Sequence, residues 1–351
     1  MSTTKYSVTD NQSVAMREAA QHPQWLDERL YPFQSRFVEI DGNRIHYIDE
    51  GTGSILLFLH PGVGWSFIYR DIIKDLRSRF RCIALDLPGY GLSPAAPGFQ
   101  HTLTGDSLLL ERFIQELGLT DITLFGQDLT GSVGLGVVGR RPEWFRAVII
   151  GPSFAWPLEN YPRISTFVKL VGSPVFRFLG VNFNFFLRYY LRNVTRKPNE
   201  KLSAQEKMAY LGPMTDRAVR RYPHDLFKSA GKSHDYLADL HQRLLSLSAP
   251  IRPANDAGQL RERLLLRSQA GRAEKEMPAL LIFGDLDGLI KLGWLSRFER
   301  IFPRHRTIIM KGAHHFPQEY DPSGVATAIR VWWDEEIEQG DQMRKYHGGV
   351  I

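Results

Sequence analysis

Three short segments hold residue types able to do nucleophilic chemistry. In Leu124-Phe125-Gly126-Gln127-Asp128-Leu129-Thr130-Gly131 a β-forming run ends in a glycine, one residue and an aspartate, and small residues then open a helical pattern. A strand that turns this sharply into a helix pushes its central side chain out at the carboxyl edge of a sheet, and small neighbours let the helix pack close. The group presented here is the carboxylate of Asp128. Taken alone, the string also fits an ordinary helix N-cap, in which aspartate accepts hydrogen bonds from free amides. Two later segments hold what a nucleophile needs beside it. Leu281-Ile282-Phe283-Gly284-Asp285-Leu286-Asp287 is a strand followed by Gly-x-x-Asp. It sets Asp287 just past the strand end, where a carboxylate can hold the far nitrogen of an imidazole; Asp285 is the competing acid. Ile308-Ile309-Met310-Lys311-Gly312-Ala313-His314-His315-Phe316 leads from a late strand to paired histidines. Nucleophile, acid, histidine is the chain order that accompanies an elbow of this kind.

With these residues in view, the chain resembles the haloalkane dehalogenase and epoxide hydrolase branch of the α/β-hydrolase superfamily, the dehalogenases above all. Besides the elbow, the likeness rests on Leu59-His60-Pro61-Gly62 with Trp65-Ser66 and Tyr69-Arg70 following, and on Asp86-Leu87-Pro88-Gly89-Tyr90-Gly91-Leu92-Ser93. Gly312 through Glu319 and the stretch Leu202 to Tyr210, with Pro213 and Arg217, complete it. The likeness starts near Asp27 and is weakest around residues 250–275. In that family the catalytic histidine precedes a phenylalanine, so the resemblance gives the base role to His315 and leaves His314 as a structural neighbour.

A carboxylate that attacks a saturated carbon displaces the leaving group and leaves an alkyl ester on the enzyme, which water then hydrolyses. Histidine titrates near neutrality and can activate that water, provided a carboxylate supports its charged form. Asp128, His315 and Asp287 would fill these roles, with no metal or cofactor required. The oxyanion formed during hydrolysis needs fixed donors, and the elbow template offers the amide of Leu129 and an amide after the third strand, here Gly62. The dehalogenases hold the departing halide with a tryptophan after the nucleophile and an asparagine or glutamate two places after the third-strand histidine. This chain has Leu129 and Gly62 there, and Trp65 is the candidate to substitute. Thr130 takes the place of a glycine in the family's Gly-x-Asp-x-Gly-Gly string. Epoxide opening instead needs cap tyrosines as acids, for which Tyr189, Tyr190, Tyr210, Tyr222 and Tyr236 are candidates. A lactone or activated ester is a third substrate class, and a non-catalytic binding protein on the same scaffold is a fourth reading.

The elements that must position these residues follow from the apolar patterning. From Phe37 onward short β-rich runs alternate with longer amphipathic stretches, which implies a mostly parallel eight-stranded sheet with helices on both faces. Strands are expected at 37–40, 44–49, 55–60, 81–86, 123–126, 147–150, 280–284 and 307–310, with helices near 294–301 and 325–338. Residues 1–35 read as an N-terminal extension, 36–153 and 277–351 as an α/β-hydrolase core, and 154–276 as an inserted helical cap with a loop-rich return. Within the cap, Phe183 to Leu191 is apolar nearly all round and could line a cavity, with Phe186, Tyr189 and Tyr190 facing a ligand, or could pack on the core. A chain of 351 residues with 43% hydrophobic content can bury a full core. The single cysteine, Cys82, excludes an intrachain disulfide and suits a cytoplasmic setting. The net charge of +6 is scattered, without a basic helix or a stacked aromatic platform, so nucleic acid is not expected as a partner. No secretory leader or membrane span is evident, and neither is a membrane partner. The expected partners are a small hydrophobic substrate and water.

Overall fold

A computed structural model of the chain describes residues 23–185, 187–188, 191, 201–248 and 276–339. Eight strands form one sheet in the order β1-β2-β4-β3-β5-β6-β7-β8. They are β1 (Arg36–Ile40), β2 (Asn43–Glu50), β3 (Ser54–Leu59), β4 (Phe80–Leu85), β5 (Ile122–Gln127), β6 (Phe145–Ser153), β7 (Ala279–Gly284) and β8 (His305–Met310). β1 and β2 are antiparallel to their neighbours, and every pairing from β4 to β8 is parallel. A parallel sheet needs both faces covered, which explains the continuous burial of β5 and β7. Helices α1 (Arg70–Leu76), α2 (Leu103–Glu116) and α3 (Asp128–Arg140) follow β3, β4 and β5 in turn. The strands end close to where the patterning placed them, but His60 and Asp86 stand just beyond β3 and β4. There their side chains bond to the backbone of neighbouring loops, His60 Nε2 accepting from the Leu87 amide and Asp86 accepting from the amides of Ser66 and Leu92.

Between β6 and β7 the described residues hold helices and no strand: α4 (Pro162–Val171), α5 (Pro174–Phe183), α6 (Ala204–Leu211), α7 (Tyr222–Ala230) and α8 (His234–Ser248). The return loop expected near 248–276 lies outside the described residues but for its ends. After β7 come α9 (Gly288–Lys291), α10 (Trp294–Ile301), β8, α11 (Pro317–Tyr320) and α12 (Pro322–Trp332), whose last turn widens into a π-helix at Trp333–Glu338. The described part of the N-terminal segment packs on the core. Leu26, Tyr31 and Phe33 are buried in the core, and Tyr31 shares a 2.6 Å hydrogen bond with Ser66. Its aromatic content makes burial more favourable than solvation.

One polar cluster joins the helices after β6 to the sheet. The guanidinium of Arg70, on α1, donates to Glu319 Oε1 at 2.6 Å and to Glu206 Oε1 at 2.8 Å, and all three side chains are buried. Glu206 belongs to α6 and Glu319 to α11, so one cation holds three segments distant in sequence. Removing one partner of such a buried set leaves the other charges desolvated, so Arg70→Met is expected to lower unfolding stability in urea by about 3–5 kcal/mol. A loss below about 1 kcal/mol would show the cluster to be as weak as a surface pair.

Candidate active site

Asp128 is the first residue of α3 and has φ of +56°, the left-handed region that a residue with a Cβ enters at a cost of about 1–3 kcal/mol. The surroundings enforce it. The Ser153 hydroxyl donates to the Asp128 carbonyl at 2.7 Å, and the helix packs so tightly on β6 that a Cβ on Gly131 would stand 2.3 Å from Ser153 Oγ. The carboxylate does not cap α3, so the N-cap alternative is set aside. Its Oδ2 accepts instead from the Gly62 amide at 2.9 Å. The Leu129 amide adjoins it at the amino end of α3, where helix N–H groups have no partner within the helix. Thr130 is accommodated because its hydroxyl lies in bonding reach of the His60 and Gln127 carbonyls.

Asp287 and His315 meet across the carboxyl ends of β7 and β8. Asp287 Oδ2 bonds His315 Nδ1 at 2.7 Å, while its other oxygen accepts the Leu289 amide at 2.8 Å. Asp285 turns to the Gly312 amide at 2.7 Å, and His314 is exposed, which separates each from its neighbour in sequence. His315 Nε2 stands 3.7 Å from Asp128 Oδ1. Burial opposes charge on this imidazole, but the carboxylates of Asp287 and Asp128 more than compensate and push its pKa up to about 10. Burial likewise works against the Asp287 carboxylate, yet His315, a hydrogen bond from it and the Leu289 amide hold its pKa below the ordinary value.

Two other histidine–aspartate pairs show what sets this one apart. His46 bonds Asp86 and Ser35, and His101 bonds Asp106 and the Pro88 carbonyl, so both rings are fully buried with both nitrogens occupied. His315 keeps 30% of its side chain exposed and turns its second nitrogen toward a carboxylate held at a strained bend. Sequence reasoning did not find the chain of amides beneath it: Gln318 donates to the side-chain oxygen of Gln127, whose own amide donates to the His315 carbonyl. Tyr90 donates to the Gly62 carbonyl at 3.0 Å and was missed as well. The one available signal was the position of Gln127 in the elbow, immediately before the exposed aspartate.

The expected pocket residues fare differently. Trp65 is buried, and its indole N–H donates to the Ala209 carbonyl at 3.0 Å, so it clamps α6 and has no N–H left for a leaving group. Tyr210 is also buried and gives its hydroxyl proton to Glu319 at 2.6 Å in the Arg70 cluster. In both the polar tip is satisfied within the protein, as is usual for buried aromatic residues that carry one, so neither offers a free donor to a ligand. Tyr236 donates to the Ser132 carbonyl, and Tyr222 packs edge-on against His101. Phe186, Tyr189 and Tyr190 lie outside the described residues. Among the described residues no group of three His, Cys, Asp or Glu side chains is arranged to hold a metal ion.

Known proteins resemble this chain in sequence and in fold. The sequence profile of the α/β hydrolase fold matches residues 54–322. Haloalkane dehalogenase 2 of Mycobacterium bovis is 32% identical over 305 residues, covering 86% of this chain and 96% of its own. A cis-3-alkyl-4-alkyloxetan-2-one decarboxylase of Xanthomonas campestris pv. campestris is 26% identical over 313 residues, covering 86% and 96%. The crystal structure of a haloalkane dehalogenase from Bradyrhizobium elkani superposes with a TM-score of 0.66 at 21% identity over 86% of this chain and 97% of its own, a likeness of fold. The chain therefore belongs to the α/β-hydrolase family, in its haloalkane dehalogenase branch, and is a hydrolase.

Proposed function

We propose that this hydrolase works through an ester on Asp128, formed by attack of its carboxylate on an alkyl electrophile such as a halogenated alkane. The observation that carries this reading is a carboxylate at a strained elbow, met by an imidazole whose other nitrogen is held by a second carboxylate. In the first step an Asp128 oxygen bonds to the substrate carbon and the leaving group departs with its electron pair. The ester has lost the Asp128 charge, so one of the two groups that raise the His315 pKa is gone. The imidazolium then releases its proton to solvent and takes one from the attacking water. The oxyanion develops on the carboxyl group that already receives the Gly62 amide, and breakdown restores Asp128 and frees the alcohol. In this reading the base becomes available only once the ester whose hydrolysis needs it has formed.

The sign of that coupling can be tested directly. His315 in the resting enzyme is expected to titrate near 10 by NMR of the imidazole, and in Asp128→Asn at a lower pH, since one carboxylate is removed. A raised folded-state pKa contributes stability that is complete below the unfolded value of 6.5 and disappears as pH rises through about 10. An imidazole titrating at its ordinary value in the resting protein would contradict the scheme.

One observation favours a second reading, a lactone as substrate. The positions that hold halide in the dehalogenases are Leu129 and Gly62 here, neither with a side-chain N–H, and the Trp65 indole is committed to Ala209. Loss of one donor at a developing charge costs roughly 3 kcal/mol, whereas ring opening leaves the departing oxygen tethered to the substrate. The oxetanone decarboxylase relative acts on such a ring. A panel of bromoalkanes, epoxides and lactones, read for halide, diol, acid and carbon dioxide, separates the chemistries. Halide release is the expected result. Turnover confined to the lactones would move the assignment to the second reading, and no turnover at all would remove both.

A further inference from the structure

The helices α4 and α5 show an outward surface unlike that of an ordinary cap. A helix packed on a core is expected to turn polar residues to water. Helix α4 buries Val168 and Val171 yet also exposes Phe167 and Leu170, the latter by 50%. In α5 Val175 is 67% exposed, Phe178 59% and Phe183 59%, and Phe185 follows at 40%. These large apolar side chains adjoin one another in sequence and in space, with the rings of Phe178 and Phe183 6.1 Å apart. A contiguous apolar surface of this kind marks an interaction site.

Its charge identifies the partner. The forty residues from 160 to 199 contain no aspartate or glutamate. They do contain Arg163, Lys169, Arg177 and Arg188, followed by Arg192, Arg196 and Lys197, so this stretch alone carries more positive charge than the whole chain's net +6. Arg177 is paired with Asp225 of α7 at 3.5 Å, while Arg163, Lys169 and Arg188 are exposed. Beside them lies a cavity of about 420 Å³ lined by the apolar Phe183, Phe185, Leu211 and Met214, by the guanidinium-bearing Arg188 and Arg220, and by neutral amide and hydroxyl side chains, with no acid. Exposed aromatic side chains among cations, on a stretch that itself holds no acidic residue, suit an interface with anionic lipid. A second copy of this chain would set like charges against each other across a two-fold axis.

We propose that α4 and α5 dock this enzyme on an anionic phospholipid surface, lying in the plane of the interface. Among the described residues no single helix is long and apolar enough to cross a membrane; α4 and α5 pass that test only as a pair and are bent by 55° between them. At ten residues each, they are about 15 Å long, half the thickness of a hydrocarbon core, so they insert side chains rather than span it. Apolar substrates concentrate in such a bilayer, and docking would bring the helices that cover the sheet into contact with that store. Such docking departs from the expectation, read from the sequence, of no membrane partner.

The test is flotation of the full chain with phosphatidylcholine vesicles and with vesicles containing about a third phosphatidylglycerol. Binding to the anionic vesicles only is expected, decreasing as salt rises. Lys169→Gln with Arg188→Gln is expected to weaken it roughly fivefold per charge. Val175→Ser with Phe178→Ser should abolish it while leaving the thermal midpoint and turnover of a water-soluble substrate unchanged. Absence of binding to anionic vesicles, or binding indifferent to both double variants, overturns the proposal. So does a dimer, seen by light scattering, that Val175→Ser with Phe178→Ser dissociates, since the surface would then belong to self-association.

Discussion

In His315→Gln, a substrate that the parent protein turns over is expected to alkylate Asp128 and remain there. The glutamine side chain preserves bulk and polarity but cannot accept a proton from water at neutral pH, so the second step stops while the first is spared. General-base catalysis of this kind contributes about 10²–10⁴-fold, and steady-state turnover should fall by that amount. Intact mass measured after a few minutes with substrate would rise by the mass of the alkyl group, and peptide mapping would place it on Asp128. The prediction separates the proposed chemistry from general-base attack of water on substrate, in which His315 would act in the first step and no adduct would form. Full loss of activity with an unchanged mass would exclude the ester.

Asp287→Asn is the second large effect. Asp287 accepts from His315 Nδ1 at 2.7 Å, which fixes the proton on that nitrogen and leaves Nε2 free to act on water. An asparagine amide can donate to Nδ1 instead, which moves the ring proton to Nε2 and presents a donor where a base is needed. The analogous exchange in serine triads reduces turnover by about 10⁴-fold through the wrong tautomer, and a loss of at least 10³-fold is expected here. The carboxylate also supports the raised His315 pKa, so the substitution should return the imidazole toward its ordinary range. A loss smaller than tenfold would show that Asp287 serves the loop through its bond to the Leu289 amide and not the imidazole.

The substitutions at the halide positions and the cluster at Arg70 address different parts of the molecule. Leu129 is buried, and its side chain would stand 3.3 Å from a Cβ placed on Gly62, so the two positions where the dehalogenases carry donors lie against each other in this chain. A side chain at Gly62 would meet the Asp128 carboxylate and Leu226 at 3.2 Å as well.

The sequence by itself determined the triad candidates and the sheet, because those depend on contiguous residues. A strand followed by a glycine, a sharp bend and small residues is local turn chemistry, and Asp128, Asp287 and His315 each lie one to five residues past a strand end. Apolar runs likewise mark strands buried on both faces. Only the tertiary structure separated His315–Asp287 from the buried pairs at His46 and His101, since the distinction is a second nitrogen that faces the elbow carboxylate and partial exposure rather than residue type. It also decided that Trp65 and Tyr210 hold α6 to the core, through partners 144 and 109 residues away. The outward apolar face of α4 and α5 is legible only there as well. Composition records how apolar a helix is, but which side faces water is fixed by what packs against the other.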